Sequence, residues 1–358
     1  MNNTIFINYG KDMVSMTKEI MQTANISALI QPEQTVYIKP NLVSLKPASY
    51  GATTHSEIVE GIIQYLNTEG IKNIILFEST SIDYTTKEAI QAGGYDVLCD
   101  KYNIPFINLD HDQTVKVHSE GMDLTLCKTA ANADFIINVP VMKGHCQTDI
   151  TCCLKNLKGL IPGSEKRRYH SMGLHKPIAA LASAIRPAVH IVDSICGDPS
   201  FELGGNPVET NRIMLGFDPV LIDSYCAELL GFRPDEVRYL KLAKDHGVGA
   251  YKNDETNIIE MNAEEKPKHT DAVDSLGRRY RKNIDEDSAC SPCYAALVTA
   301  LHKLGERNIP SGQIKIGQGF RGKVSDGIGV GNCTSRCANS VKGCPPTAAD
   351  IVDMIRSI

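Results

Sequence analysis

The chain has 358 residues, 42% of them hydrophobic, with a formal net charge of -5 and an isoelectric point near 6.1. That length suits one large α/β domain with a smaller appendage and a sizeable core, while the acidic balance excludes general attraction to nucleic acid or an anionic membrane, so that any anion site has to be local. No apolar run approaches the roughly 18 residues that span a bilayer and the N-terminus does not read as a signal peptide, so the expectation is a cytoplasmic protein without a membrane partner.

Up to about residue 250, short β-branched runs alternate with helical periodicity, which predicts an α/β fold with a largely parallel sheet and flanking helices. Strands are expected at residues 4–8, 35–39, 74–78, 135–139, 190–193 and 212–217. Helices are expected at 56–68, 86–92, 177–184 and 219–230.

In such a sheet, functional groups gather where the carboxyl ends of the strands open into loops. Polar residues recur there: Lys39-Pro40-Asn41 after the second strand, Glu78-Ser79-Thr80 after the third, and Lys143-Gly144-His145-Cys146 shortly after the fourth. His55 precedes a helix, where imidazole can serve as a proton donor over the crevice or as a solvated neighbour of the cap. Lys39, His55, Lys143 and His145 are the candidate catalytic residues.

From Lys155 to Lys176 there are six Lys or Arg and one acidic residue, in a chain that is acidic as a whole. A small anionic molecule, a phosphate or carboxylate, is the expected ligand. Asn41, Glu78, Lys155, Asn156, Lys158 and Arg168 are assigned to its binding. Cys146, Cys152 and Cys153 read as small buried thiols or as part of a second metal site. Asp218-Pro219 starts a helix with an aspartate cap and proline in the first turn.

Residues 251–287 are polar and charged and read as a connector, dividing the chain into an α/β domain over 1–250 and a cysteine-rich module over 288–358. That module is expected to be a small α+β unit with a helix over 292–307, strands over 313–316 and 328–330, and a closing helix from residue 347. Gly317-x-Gly319-x-x-Gly322 is not followed by a helix and so is no dinucleotide fingerprint; it reads as a hairpin turn.

Twelve cysteines in a chain of this class point to reduced thiols and metal ligation. Cys290-Ser-Pro-Cys293, Cys333 and Cys344-Pro345 lie at helix starts or Gly-rich turns, with Ser288 as the expected cap of the helix that presents Cys293. Four thiolates with helix-terminal amides suit an iron-sulfur cluster, with four irons as the default. Cys290, Cys293, Cys333 and Cys344 are the assigned ligands and Cys337 is the spare. A structural zinc would use the same four thiols, and a dithiol redox pair only two.

With these residues in hand, the chain resembles the family called domain of unknown function 362, in the version carrying a C-terminal iron-sulfur module. The resemblance rests on Ile38-Lys39-Pro40-Asn41-Leu42, Val139-Pro140-Val141-Met142-Lys143-Gly144-His145, Leu154-Lys155-Asn156-Leu157-Lys158-Gly159, Asp218-Pro219-Val220, Gly331-Asn-Cys333 and Gly343-Cys344-Pro345-Pro346. It implies a cytoplasmic cluster-binding protein, commonly of anaerobic prokaryotes, with no general reaction attached. The expected function is a redox enzyme in which the cluster relays electrons to a small anionic substrate, with an electron-transfer protein as a further partner. A non-catalytic electron-transfer or cluster-handling protein, and an isomerase or lyase with a structural cluster, are the alternatives open at this point. The small module is expected to dock on the carboxyl-end rim of the large sheet.

Overall fold

Runs such as IILFE at Ile74–Glu78 and FIIN at Phe135–Asn138 are buried along almost their whole length, as a sheet covered by helices on both faces requires. In the computed structural model, which describes residues 3–80, 84–267 and 276–358, these runs become the centre of an eight-stranded sheet. Its first strands are β1 (Thr4–Tyr9), β2 (Val36–Lys39), β3 (Ile74–Glu78) and β4 (Phe106–Asn108), followed by a separate hairpin, β5 (Thr114–Ser119) and β6 (Met122–Cys127). Next, β7 (Phe135–Asn138) leads to a second hairpin, β8 (Lys143–His145) and β9 (Asp149–Thr151), before β10 (Val189–Gly197), β11 (Val208–Gly216) and β12 (Asn257–Met261) complete the large sheet.

The strand order is β12-β1-β11-β10-β7-β2-β3-β4. Within it β11 alone runs against the others, pairing antiparallel with β1 and β10. Alternate residues of β1 enter different apolar clusters: Ile5, Ile7 and Tyr9 one, Phe6 the other. This is the two-residue period of a strand buried on both faces. The helix Ser56–Thr68 covers one side with Ile58, Ile62 and Leu66, spaced to share one helix face. Removing any of these to alanine should cost about 2–5 kcal/mol. Asp218 caps the helix Pro219–Leu229, accepting from the Val220 and Leu221 amides at 2.8 and 3.0 Å.

The segment read as a connector departs from that expectation. Residues 257–261 form β12, the edge strand parallel to β1, and residues 284–286 form β13 (Ile284–Glu286) of the second sheet. The part of the connector over 268–275 lies outside the described residues.

The second sheet contains β13, β14 (Ile314–Ile316), β15 (Ser325–Val330) and β16 (Cys337–Val341), all parallel and in sequence order. The helices Ser291–Leu304 and Ala348–Arg356 share a core with it through residues such as Leu297, Leu301, Ile316 and Ile351. Because β14 and β15 are parallel, the Gly317-x-Gly319-x-x-Gly322 segment is a crossover loop and not a hairpin turn. Ser288 does not cap the first of these helices. Cys290 occupies the cap position, and the Ser288 hydroxyl turns to Asp287 at 3.2 Å. No helix among the described residues is long and apolar enough to cross a membrane.

Candidate functional site

A cavity of about 500 Å³ opens at the carboxyl ends of β2 and β3, and its wall is completed by Ser291, Pro292 and Ala295 of the second unit. Five lysines line it: Lys39, Lys143, Lys155, Lys158 and Lys166. Glu78 and Glu202 are the carboxylates among the lining residues, so the wall is strongly cationic.

Lys39 and Glu78 end adjacent strands and form a buried ion pair. Burial lowers the Lys39 ammonium and raises the Glu78 carboxyl, while their contact opposes both shifts. Gly159 packs over this pair: a Cβ there would come within 1.8 Å of Glu78 Oε1. Lys166 donates to the Ser79 carbonyl at 2.5 Å, to its hydroxyl at 2.6 Å and to the Thr80 carbonyl. Lys143 donates to the Ala52 carbonyl at 2.5 Å and to Asn41 Oδ1 at 3.3 Å. Burial, aided by the charge of Lys155, draws Lys143 down to about 7.

Lys155 and Lys158 come from the turn that begins with the short helix Cys153–Asn156. Asp223 anchors this helix, accepting from the amides of Cys153 at 2.7 Å and Leu154 at 3.1 Å. Asn156 fixes its other end, accepting from Asn41 Nδ2 at 2.7 Å and donating to Asn138 Oδ1 at 2.9 Å. Burial pulls Lys155 down to about 8. It pulls Lys158 well below the usual range, with Lys155 and Lys166 adding to the effect.

Two histidines are fixed by their neighbours. His145 Nδ1 accepts from the backbone amides of Gln147 and Thr148 at 3.1 and 3.3 Å, so the neutral ring carries its proton on Nε2. Burial and then the charges of Lys155 and Lys158 hold its pKa well below the ordinary value. His170 is drawn down to about 3 by burial and Lys158. Its Nε2 lies 2.9 Å from Lys158 Nζ and its Nδ1 2.9 Å from Ser291 Oγ. Ser291 donates to Gln147 Oε1 at 2.6 Å, and Gln147 Nε2 donates to the Ala289 carbonyl at 3.0 Å. A continuous hydrogen-bonded line therefore joins a cavity lysine to the start of the helix Ser291–Leu304.

The flanks of that start hold the thiols. Burial first, and then the charges of neighbouring thiols, raise Cys290 and Cys293, the latter to about 11. Cys333 and Cys344 act on both. Arg321 Nε donates to Cys333 Sγ at 3.4 Å, and Gln318 Nε2 to Cys290 Sγ at 3.6 Å. Gly331, at φ +87°, lies where a Cβ would be 3.6 Å from Cys293 Sγ. Cys337 stands apart under β15, where a Cβ on Gly329 would meet its sulfur at 2.9 Å.

Among the described residues, two groups of ligand-type atoms lie within 4.8 Å of one another: His145, Cys146 and Glu202, and Cys152, Cys153 and Asp223. In the first, His145 Nε2 keeps its proton and Cys146 donates both its amide and its thiol to Glu202, at 3.1 and 3.2 Å. In the second, the Asp223 carboxylate is taken by two amides, and burial raises Cys152 and Cys153. Both groups are explained by hydrogen bonds already made.

Lys39, Asn41, Glu78, Lys143, His145, Lys155, Asn156 and Lys158 are thus gathered around one cavity. Two assigned residues are not. Arg168 points away, donating to both oxygens of Glu165 at 2.8 Å. The helix Gly163–Met172 sends Lys166 and His170, four residues apart on one face, to the cavity instead. His55 is buried against Asp193, which accepts from both its amide and its Nδ1 at 2.8 Å. Although burial opposes its charge, that carboxylate lifts His55 to about 10, making it a fixed cation. Glu202, His170, Lys166 and Ser291 were missed as site residues. The i, i+4 spacing of 166 and 170 is a signal that could have found two of them.

A family model described as domain of unknown function (DUF362) matches residues 36–228. Those residues contain all five cavity lysines and end before the five C-terminal cysteines. The thylakoid-associated protein sll1697 of Synechocystis sp. is 24% identical over 233 residues, 63% of this chain and 72% of that protein. Among solved structures, the lactate racemase apoprotein of Thermoanaerobacterium thermosaccharolyticum aligns with a TM-score of 0.40 at 13% identity, covering 67% of this chain. A protein of Thermotoga maritima aligns with a TM-score of 0.41 at 12% identity, covering 66% of this chain. The chain spans 56% and 60% of these two structures, respectively.

Proposed function

The chain belongs to the DUF362 family, and on that premise we propose that it is an iron-sulfur-cluster-binding redox enzyme acting on a small anionic substrate held in the lysine-lined cavity. The observation that carries this reading is the shared wall: Ser291 and Pro292, which line the cavity, are the two residues between Cys290 and Cys293. Ligand sites commonly form between packed units in this way.

The thiol set fits the proposed group. The charges of Cys333 and Cys344 act on both Cys290 and Cys293, so the four thiols lie near enough to one another to serve one metal group. Arg321 and the start of the helix Ser291–Leu304 supply the positive field that thiolates and cluster sulfurs need. When bound, a four-iron cluster would supply one-electron chemistry beside the cavity.

The remaining roles belong to the chain. Lys143 and Lys158 bind the anionic group of the substrate, with the Lys155 amine lining the same cavity. His145 presents Nε2–H as a neutral donor to a substrate oxygen, because its other nitrogen is occupied by two amides. Lys39 and Glu78 form the floor and hold the strand ends in register, while Lys158, His170 and Ser291 provide a path by which a proton can shift between the cavity and the cysteine-bearing helix.

A second reading, a non-catalytic electron-transfer protein, is favoured by one observation: Cys344 is exposed, and Cys290, Cys293 and Cys333 are only half-buried. A cluster held there would be reachable by a protein partner. The experiment that separates the readings is anaerobic purification with iron, sulfide and metal analysis, followed by paramagnetic resonance of the reduced protein with and without small carboxylates and phosphates. A signal that shifts on anion addition supports the enzyme. An unchanged signal supports the carrier, and zinc without acid-labile sulfide overturns both.

A further inference from the structure

Lys155 differs from the other four cavity lysines in what holds its amine. Lys39 pairs with Glu78, Lys143 donates to two oxygens, Lys158 meets His170 and Lys166 has three acceptors. Lys155 Nζ makes no hydrogen bond or ion pair among the described residues, although it lines the cavity. Its backbone is the reverse of free. Asp223 holds the two amides before it, and Asn156 immediately after it is held by Asn41 and Asn138. A single unengaged amine is therefore carried on a rigid turn into the cavity.

Its chemical setting suits a nucleophile. Desolvation together with neighbouring cations activates lysine for attack on carbonyls. With Lys155 near 8, about a tenth of it is free amine at pH 7. Lys155 lies close enough to both Lys143 and Lys158 for its charge to act on each. All three line the same cavity, so an acid whose carboxylate meets Lys143 and Lys158 occupies the space that Lys155 also lines. A cavity of about 500 Å³ admits an acid of this size.

We propose that Lys155 condenses with the carbonyl carbon of a small 2-oxo acid whose carboxylate is bound by Lys143 and Lys158. Nζ forms a C–N bond to that carbon and the carbonyl oxygen becomes the hydroxyl of a carbinolamine. That hydroxyl leaves as water, the two hydrogens of the amine depart with the oxygen, and a C=N bond remains. No electrons are gained or lost. The inference rests on the cavity being a small-anion site, but not on its redox role.

The test uses the anaerobically purified holoprotein incubated separately with glyoxylate, pyruvate and 2-oxoglutarate in the presence of cyanoborohydride, whose hydride converts an imine to a stable secondary amine. Peptide mass spectrometry should find Lys155 heavier by the oxo acid less one oxygen atom. Labelling there should exceed that of the exposed Lys11 by about tenfold or more. Oxalate should suppress it, and Lys155→Arg should abolish it while still binding oxalate by calorimetry. Absence of the adduct with all three acids, or labelling of Lys155 no greater than Lys11, overturns the proposal. If oxalate binds without any adduct, the anion cavity stands and the imine falls. If oxalate does not bind and no adduct forms, both fall.

Discussion

Ser291 Oγ stands 2.9 Å from His170 Nδ1, joining a residue set between two cysteines to a histidine of the cavity wall. The same hydroxyl donates to Gln147 at 2.6 Å, so one oxygen serves the interface from both sides. Removing it strands a half-buried donor on His170 and an acceptor on the buried Gln147. Ser291→Ala should lower stability by about 1–3 kcal/mol in chemical denaturation, with iron content retained and the response of the cluster signal to added anion weakened. Ser291→Thr, which keeps the hydroxyl, should recover both.

The thiols give the most direct prediction. Anaerobically purified protein should be brown and contain about four irons per chain if the default cluster is right. Replacing Cys290, Cys293, Cys333 or Cys344 singly with Ser should lose or convert the cluster, whereas Cys337→Ser should leave it in place. Iron analysis and visible absorption check this; a variant at Cys337 that alone lost its iron would show the ligand assignment to be wrong.

The Lys39 and Glu78 pair is fully buried, so breaking it on one side leaves an uncompensated charge. Glu78→Gln should destabilise the protein by about 3–5 kcal/mol. The double change Lys39→Met with Glu78→Gln should be milder than the sum of the single changes. A thermal denaturation cycle measures the coupling, and strict additivity would mean that the two side chains act independently.

His55 supplies a pH signature. Its folded pKa is raised to about 10 from the ordinary 6.5, so its contribution to stability is fully present below pH 6.5 and is lost as the pH rises through 10. The full contribution is at most about 5 kcal/mol. The stability difference between the protein and its His55→Gln variant should therefore be largest near pH 6 and shrink toward pH 10. A difference that stays constant over that range would place the titration elsewhere.

Much of the fold was legible because its signals are local. The helices at Ser56–Thr68 and Thr86–Ala92 begin and end where their periodicity places them, the second behind a Thr85 and Glu88 capping box. The strand β12 was not legible. It is an edge strand with mostly exposed residues, and such a strand carries little apolar alternation to read. It exists because β1 offers an unpaired edge, which a local pattern does not contain.

The site divides in the same way. Lys39, Glu78 and Lys143 could be placed because topology assigns function to strand ends. Arg168 was misplaced because a basic run does not say which face of its helix turns inward, and Glu165 three residues earlier captured it. His55 was misread for want of a partner 138 residues away. Lys155 and Lys158 share a cavity through the anchoring of their turn by Asp223, an acceptor some 70 residues further along the chain.

The order in which the cavity walls leave the ribosome has a consequence of its own. Lys39 and Ser291 face the same space but are 291 − 39 = 252 residues apart in the chain. At about 5–20 residues per second, roughly 10–50 s separate their synthesis. From the synthesis of Lys166 until that of Ser291 the five ammonium groups can remain hydrated, because the residues that complete their wall have not yet been made. The electrostatic cost of drying them is then concentrated in the final docking of the two units. A small anion present at that moment would neutralise the lysines as the roof closes, so the ligand of the mature cavity would also be an aid to its assembly.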